Sequence, residues 1–374
     1  MEVGYVGNFG VKLFYNKDYN QPRIYGDFLD SFKQLAAFAG NSSAVVPATN
    51  TFVKLYGTAQ AAVTALGATN LTQGRVGTVA NTLDRTSANF SKFAGAGLSD
   101  SYLRLYPQFN QVIVGTNDGR SNYNSLQVSV RRSTGALKLS GNYTFAKSID
   151  NISAEGNGFT TPLDTFNLKL NRARSDFDRQ HSFNATALYS LPFGRGKKFV
   201  TDMPRWADSA LGGWELGSLW IWQQGQPFTV SSQRATTAVS GVANTYSQYT
   251  GTDRNVGSVD YRGNGAFFFT QDQVNSFTFP SAGEIGNAGR NVFRNPMFVA
   301  VDASLVKKFK LTEKHSVSFR AEAYNLLNHT NFNLVAANLN ITTPATFGKF
   351  STTVGTQTSS SSARTMQLSL RYDF

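Results

Sequence analysis

Cysteine is absent from all 374 residues, so the chain has no disulfide framework, thiolate metal site or cysteine nucleophile. Histidine is almost as scarce, with three residues in the chain, and an imidazole-rich metal site is not expected. No serine or histidine stands in a recognisable catalytic relation to a carboxylate. We therefore predict no metal, no cofactor and no enzymatic activity.

Long apolar runs are missing as well, because none approaches the ~18 residues that a membrane-spanning helix needs. The first residues, MEVGYVGNFG, lack the charged start and apolar core of a signal peptide, so we expect any export signal to lie outside this chain. The mean hydropathy of -0.27 still allows a membrane barrel, in which only alternate strand positions must be apolar.

Charge is sparse although its balance is basic. Charged residues make up 16% of the chain, and their formal sum of +12 is spread thinly along it. Nucleic-acid arms and polybasic lipid anchors concentrate their charge, so we predict no nucleic-acid partner. The chain is instead rich in Phe, Tyr and Gly, with 30, 15 and 33 residues, a mixture that favours strands and turns.

Apolar and polar residues alternate in several segments, as they do in strands with one apolar face. The clearest pair, 124–131 and 136–147, is separated by a short turn at 132–135 and predicts a β-hairpin. Similar alternation runs through 183–191, 214–222, 301–309, 317–323 and 366–374. The strands are ~9–12 residues long, close to the length of a tilted membrane-crossing strand.

The connections alternate between short and long. Short turns lie near 132–135 and 310–314, a medium one spans 193–212, and long polar stretches span 15–121, 148–179, 232–296 and 328–362. Short periplasmic turns and long external loops are typical of bacterial outer-membrane barrels. We predict an all-β fold, an antiparallel transmembrane β-barrel segment with about eight strands, located in the bacterial outer membrane. A soluble β-sandwich is the alternative, since alternation occurs in both.

The whole chain, 1–374, is interpreted as a single partial barrel domain. Within it, 15–121 is expected to be a long external insertion with short helices at about 28–39 and 51–66, where apolar residues recur at helical spacing. The alternative is a small soluble domain with its own core. The long stretches, especially 15–121 and 232–296, are where we expect ligand recognition.

Aromatic residues mark the predicted strand ends. They comprise Tyr143 and Phe145 at one rim and Tyr189, Trp214, Tyr372 and Phe374 toward the other. In a membrane barrel, such residues form girdles at the headgroup level. In a soluble sandwich they would fill a core instead.

Four charged side chains fall on the predicted polar faces: Asp302, Arg320, Glu322 and Arg371. A wet lumen tolerates such charges, whereas lipid does not. We expect them to line the lumen, with Asp302 paired to Arg320 and Glu322 paired to Arg371 across neighbouring strands.

Several segments resemble a known family. They are YVGNFGVKL, YNSLQVSVRRSTGALKLSGNYTFAKSID, RSDFDRQHSFNATALYSLPFGRGKKF, GGWELGSLWIWQQGQPFTV, GNAGRNVFRNP and VSFRAEAYNLLNHTNF. In this order, and over nearly the whole chain, they resemble the C-terminal barrel of Oar-like TonB-dependent outer-membrane receptors. Members of that family often carry a carboxypeptidase-regulatory-like domain.

The resemblance implies a receptor or transporter for ligand binding and uptake. A complete member is implied to have a signal peptide, an N-terminal β-sandwich, a plug and about 22 strands. With about eight strands and no plug, this chain resembles a fragment that cannot transport alone. The implied partners are outer-membrane lipid and lipopolysaccharide, the barrel-assembly machinery, a ligand of unknown identity, and TonB only through the missing plug.

The last strand resembles the assembly signal that barrel machinery recognises in outer-membrane proteins. The residues of this signal alternate and end on an aromatic: Met366, Leu368, Leu370, Tyr372 and Phe374. An alternative function is a self-contained eight-stranded barrel that acts as an adhesin or surface-structural protein. The small residues expected in the lumen, such as Ser129, Ser140 and Thr186, favour a wide barrel instead.

Overall fold

The computed structural model describes residues 1–24, 26–84, 92–153, 162–237, 245–334, 339–355 and 362–374. One large antiparallel sheet dominates it. Its long strands are β1 (Glu2–Asp18), β2 (Ile113–Arg132), β3 (Leu137–Asp150), β5 (His181–Ser190), β6 (Trp214–Gln223), β13 (Phe298–Lys310), β14 (Ser316–Tyr324) and β17 (Thr365–Asp373), and the short β4 (Ala173–Arg174) pairs with β3. The expected antiparallel sheet of about eight strands is confirmed.

Short strands pair within the long connections. They are β7 (Pro227–Phe228) with β12 (Phe293–Arg294), β8 (Gln248–Tyr249) with β11 (Phe277–Thr278), β9 (Asp260–Arg262) with β10 (Gly265–Phe267), and β15 (Phe332–Asn333) with β16 (Thr352–Thr353). Each pair gives local hydrogen bonds to backbone that lies outside the large sheet.

Each long strand pairs with the next along the chain, so successive connections lie at opposite ends of the strands, which form two opposite edges of the sheet. The short or medium connections, 133–136, 191–213 and 311–315, lie at one edge, which we call the short-turn edge. The connections 19–112, 151–180, 224–297 and 325–364 lie at the other, the long-connection edge. The alternation expected from the sequence is present.

The first long connection is shorter than the predicted 15–121. β1 and β2 remain paired as far as Asp18 and Ile113, because backbone pairing continues past two register shifts next to Leu13. Those shifts break the period-two pattern of side chains, which is why the pattern alone ended both strands too early.

The order of the sheet begins at β1 and ends at β17, and among the described residues these two strands do not pair. The sheet is therefore open. The closed eight-stranded barrel of the alternative interpretation is not seen in this part of the chain.

Side chains alternate across the sheet between an apolar and a polar face. One row of paired residues on the apolar face consists of Leu139, Ala187, Ser218, Ala303, Ala323 and Met366. The next row, on the polar face, consists of Ser140, Thr186, Leu219 and Asp302. Register therefore carries one face across all the strands, as expected for a pattern with a period of two.

In its described residues, the first long connection includes the helices α1 (Asp27–Gly40), α2 (Thr51–Tyr56), α3 (Ala59–Leu66), α4 (Ala68–Thr72) and α5 (Val76–Asp84). The helix expected over 28–39 is confirmed. The one expected over 51–66 is two helices, because Gly57 adopts a φ of 83° and Thr58 caps a new helix by accepting from the Ala61 N–H.

These helices bury a core of their own, which includes Phe28, Phe32, Leu35, Phe52 and Leu83. The described residues of later connections include the helices α6 (Arg205–Leu211) and α7 (Gln271–Asn275) and a 3-10 turn at Leu168–Asn171. No helix in the described part of the chain is long and apolar enough to cross a membrane.

The helical insertion is joined to the large sheet by a polar neck. Arg104 is buried, contacts the Asp84 carboxylate through Nε, and donates through Nη1 to the Asn20 carbonyl at 2.6 Å. The Asn20 amide in turn donates to the carbonyls of Tyr106 and Phe109. Buried charges and amides are stable only when they are paired, so this neck fixes where the insertion leaves the sheet.

Candidate functional site

Aromatic residues form a layer near each edge of the sheet. At the long-connection edge, the His181 ring lies 5.1 Å from Phe145 and 6.1 Å from Trp222. At the short-turn edge, Trp214 packs edge-on against Phe319 at 6.1 Å. The aromatics expected at the two rims therefore lie there.

The two layers are separated by about the thickness of an apolar membrane band. Trp214 and Trp222 are eight positions apart on β6, which is about 26 Å along a strand that rises about 3.3 Å per residue. A tilt of about 40° reduces this to about 20 Å along the membrane normal, close to the band of about 25 Å in outer-membrane barrels. The apolar face thus has the dimensions of a lipid-facing surface.

The four predicted lumen charges share the polar face, because Glu322 is opposite Ser304, Arg320 is opposite Val306, and Arg371 is opposite Ser318. Their expected pairing is wrong. Arg320 contacts Glu322 on its own strand at 3.5 Å, and Arg371 contacts Asp373 at 2.7 Å.

Asp302 accepts a hydrogen bond from the Asn325 backbone N–H at 2.8 Å. A charged residue can pair either with a residue two positions along its own strand or with a residue on the neighbouring strand. The alternating pattern does not show which of these two contacts is preferred. Their position in a water-filled lumen stays a prediction.

Four of the predicted assembly residues lie in β17, the last strand of the open sheet, and Phe374 directly follows it. Their side chains are among the most exposed apolar groups of the chain: Met366, Leu368, Leu370 and Tyr372 are 54–73% exposed, and Phe374 is 92% exposed. An exposed apolar edge strand can accept another strand through its free N–H and C=O groups. Recognition by assembly machinery remains a prediction.

At the long-connection edge, a network of ion pairs, buried except at Asp176, joins two connections to β3. Arg290 contacts Asp150 at 2.8 Å and Asp176 at 2.8 Å, and Arg294 contacts Asp178 at 2.5 Å. The other Asp178 oxygen accepts from the Ser148 backbone N–H at 2.7 Å. The carboxylates thus fix both loops against the polar face of β3, on which Ser148 and Asp150 lie.

The network favours the charged form of Arg290. Burial by itself would lower the pKa of Arg290, but the hydrogen bond and charge of Asp150, followed by those of Asp176, raise it above its usual value. Asp178 is 1% exposed, so loss of Arg294 would leave an unpaired buried carboxylate.

The third and fourth long connections also share an apolar core. It is built largely from phenylalanines whose rings touch, among them Phe228, Phe269, Phe277, Phe293 and Phe347. Phe269 stacks on Phe347 with ring centres 5.2 Å apart. Such packing holds the described parts of these connections against one another and provides a scaffold for their polar side chains.

In the described residues, cavities of about 800, 700 and 580 Å³ adjoin the network. Among the described residues, the first, of about 800 Å³, is lined by five arginines, Arg172, Arg174, Arg254, Arg290 and Arg294, and by no acidic side chain. The second, of about 700 Å³, mixes signs, since Lys17 and Asp118 on its wall form an ion pair at 2.5 Å. All three volumes lie within the range of small-molecule sites.

Neither the network nor the arginine-lined cavity was predicted from the sequence. A signal was present, because RSDFDR holds two acidic residues and GNAGRNVFRNP two basic ones. Complementary charge in two distant segments suggests contact, but it does not select which Arg meets which Asp. The predicted lumen and assembly residues lie on other parts of the sheet.

Comparison with known proteins agrees with this architecture. A family model described as an outer membrane beta barrel domain matches residues 1–367. The chain belongs to this family. As a member of the outer membrane beta barrel domain family, it is a protein of the bacterial outer membrane.

A distant similarity to a solved structure accompanies the family match. The outer membrane transporter YddB from Escherichia coli is 10% identical, with a TM-score of 0.33, over 70% of this chain and 26% of the transporter. The chain thus spans about a quarter of that transporter's length. No curated protein sequence gives a significant match.

Proposed function

We propose that the chain is the barrel portion of a TonB-dependent receptor, which binds a ligand at the long-connection edge and contributes to its uptake. The observation that carries this proposal is the packing of the long connections. They form ordered bodies with a shared phenylalanine core and a buried ion-pair network, and cavities open between them. A purely structural barrel has no need of such fixed polar walls.

The parts have different roles in this proposal. The apolar face meets outer-membrane lipid, the polar face borders the lumen, and the arginine-rich loops meet the ligand or lipopolysaccharide. Coupling to TonB requires a plug, so this segment alone binds without transporting, and it performs no catalysis. The Oar-like resemblance of the strand motifs supports the assignment to this receptor class.

A small surface-structural barrel or adhesin is the second candidate. The eight long strands favour it, because bacterial single-chain barrels have even strand numbers. The open order of the sheet and the small side chains on its polar face favour a wider barrel.

The proposal is tested in the source bacterium by comparing the compounds removed from the medium by three strains. These are the wild type, a strain lacking the gene for this chain and a strain lacking TonB. We expect at least one compound to be removed by the wild type and left by both deletion strains. Equal depletion by all three, with the protein present in outer membranes, would contradict uptake and favour the surface-structural function.

A further inference from the structure

The cavity of about 800 Å³ at the long-connection edge is strongly cationic. The described part of its wall contains five guanidinium groups and no carboxylate. Arg290 and Arg294 are already neutralised by aspartates outside the wall. In the described residues, the side chains of Arg172, Arg174 and Arg254 have no ion-pair partner, so three positive charges face the same space.

Arg254 is held in place but is not satisfied. Its guanidinium carbon lies 4.9 Å from the centre of the Tyr249 ring, and Nη2 donates to the Asn287 carbonyl at 3.4 Å. Its Nη1 is buried and has no hydrogen-bond partner among the described residues. The Arg254 guanidinium, which lines the cavity, therefore keeps hydrogen-bonding capacity that the described residues do not use.

Arg174 experiences the surrounding positive charge. Burial lowers its pKa from the usual value, the neighbouring Arg294 lowers it further, and Asp178 opposes both effects. A negative group in the cavity would relieve this repulsion. Low-dielectric walls also strengthen the attraction between such a group and the guanidinium groups.

We propose that this cavity binds an anionic ligand through carboxylate or phosphate groups, with Arg174 and Arg254 as the principal donors. Guanidinium groups match the planar geometry of both oxyanions and often bind them through two hydrogen bonds. The cavity volume suits a ligand of small-molecule size. The inference deepens the proposed uptake function by naming the class of ligand, and it rests on that function for its biological meaning.

The test is a calorimetric titration of the purified full chain in detergent with citrate, pyrophosphate and, as a neutral probe, sucrose. We expect the two anions to bind and sucrose not to bind. Arg174→Gln and Arg254→Gln should each weaken anion binding by about tenfold or more, the loss expected for one charge-assisted hydrogen bond.

The matched control is Arg195→Gln, which removes the same charge from an exposed site in the connection at the short-turn edge. It should leave anion binding unchanged. Arg174→Lys and Arg254→Lys, which keep the charge but lose the two-pronged donor, replace any glutamine variant that fails to fold. Failure of both anions to bind, or equal weakening by Arg195→Gln, would overturn the proposal.

A further comparison identifies the source of the anion. Vesicles with and without lipid A present phosphate on a lipid surface, and soluble pyrophosphate presents it free. If Arg174→Gln abolishes binding to lipid A vesicles, the ligand of the cavity is a lipid phosphate. If this variant still binds lipid A vesicles, a lipid phosphate as the ligand of the cavity is overturned.

This test can be separated from that of the proposed function. Anion binding without gene-dependent depletion of any compound would refute uptake and retain the cavity. Depletion without anion binding would do the reverse.

Discussion

A charge placed on the apolar face should destabilise the protein far more than the same charge one residue away. Ala187 lies on the apolar face of β5 and pairs with Ser218, which is four positions from Trp214 and four from Trp222. Arg in place of Ala187 would therefore enter the middle of the lipid-facing band. Such a change costs about 2–4 kcal/mol, so we expect Ala187→Arg to lower the free energy of unfolding by about 3 kcal/mol.

Thr186 provides the comparison on the polar face. It is exposed, and its paired neighbours, Ser140 and Leu219, are uncharged. Thr186→Arg should lower the free energy of unfolding by less than about 1 kcal/mol, because the new charge remains in water. The expected contrast of about 2 kcal/mol or more changes the ratio of folded to unfolded protein by a factor of about 30.

The assay is reversible guanidinium unfolding from phospholipid vesicles, followed by fluorescence of the four tryptophans. Ala187→Leu is the control for size, and it should not destabilise the protein because leucine is apolar. Equal losses with Arg at the two positions would refute either the membrane or the face assignment, and a larger loss at Thr186 would mean that the faces are reversed. The same contrast is expected at Leu139 and Ser140, although Arg131 opposite Ser140 adds a like-charge cost of up to about 1 kcal/mol there.

Deletion of Phe374 should reduce the amount of heat-modifiable protein in outer membranes, whereas Phe374→Tyr should not, because the edge strand keeps its terminal aromatic; unchanged assembly in the deletion would contradict an assembly role. Arg294→Ala should lower the free energy of unfolding by about 3–5 kcal/mol, since it leaves the Asp178 carboxylate buried and unpaired, and it should make the loops sensitive to limited proteolysis. Adding Asp178→Asn to this variant should restore part of the lost stability. If the double variant restores nothing, this ion pair is not what stabilises the loops. Asn50→Ala should lower the stability of the helical insertion by about 1–2 kcal/mol, because Asn50 caps α2 and also donates to a buried backbone carbonyl. Thr58→Ala, which removes a more exposed cap, should cost about 1 kcal/mol or less. Thermal unfolding followed by circular dichroism measures both losses, and equal losses would show that burial of the cap adds no stability.

The sequence was sufficient to predict the strands of the sheet and their two faces, because the face of each side chain depends on its position within the alternating pattern of its own strand. Alternation in 136–147 and 366–374 assigns each side chain to a face, and antiparallel pairing of successive strands then places the short and long connections at opposite edges. Helix α1 was equally accessible, because its apolar residues recur every three or four positions.

The positions of register shifts and of helix breaks depend on backbone geometry, and the pattern of side chains predicts that geometry poorly. The bulges near Leu13 extend β1 beyond its clear alternation, and a single glycine, Gly57, separates two helices within one apolar pattern. In both places, the side-chain pattern and the backbone hydrogen bonds disagree, and the hydrogen bonds determine the element.

Only the tertiary structure decided which charges meet. Arg290 and Asp150 are 140 residues apart, and their contact requires a loop from one side of the sheet to fold over a strand from another. The sequence contains many other Arg and Asp residues, and nothing in their order indicates which of them form pairs. Selection came from desolvation, because a buried guanidinium group is stable only where carboxylates and carbonyls converge on it, and that convergence exists only in the folded chain.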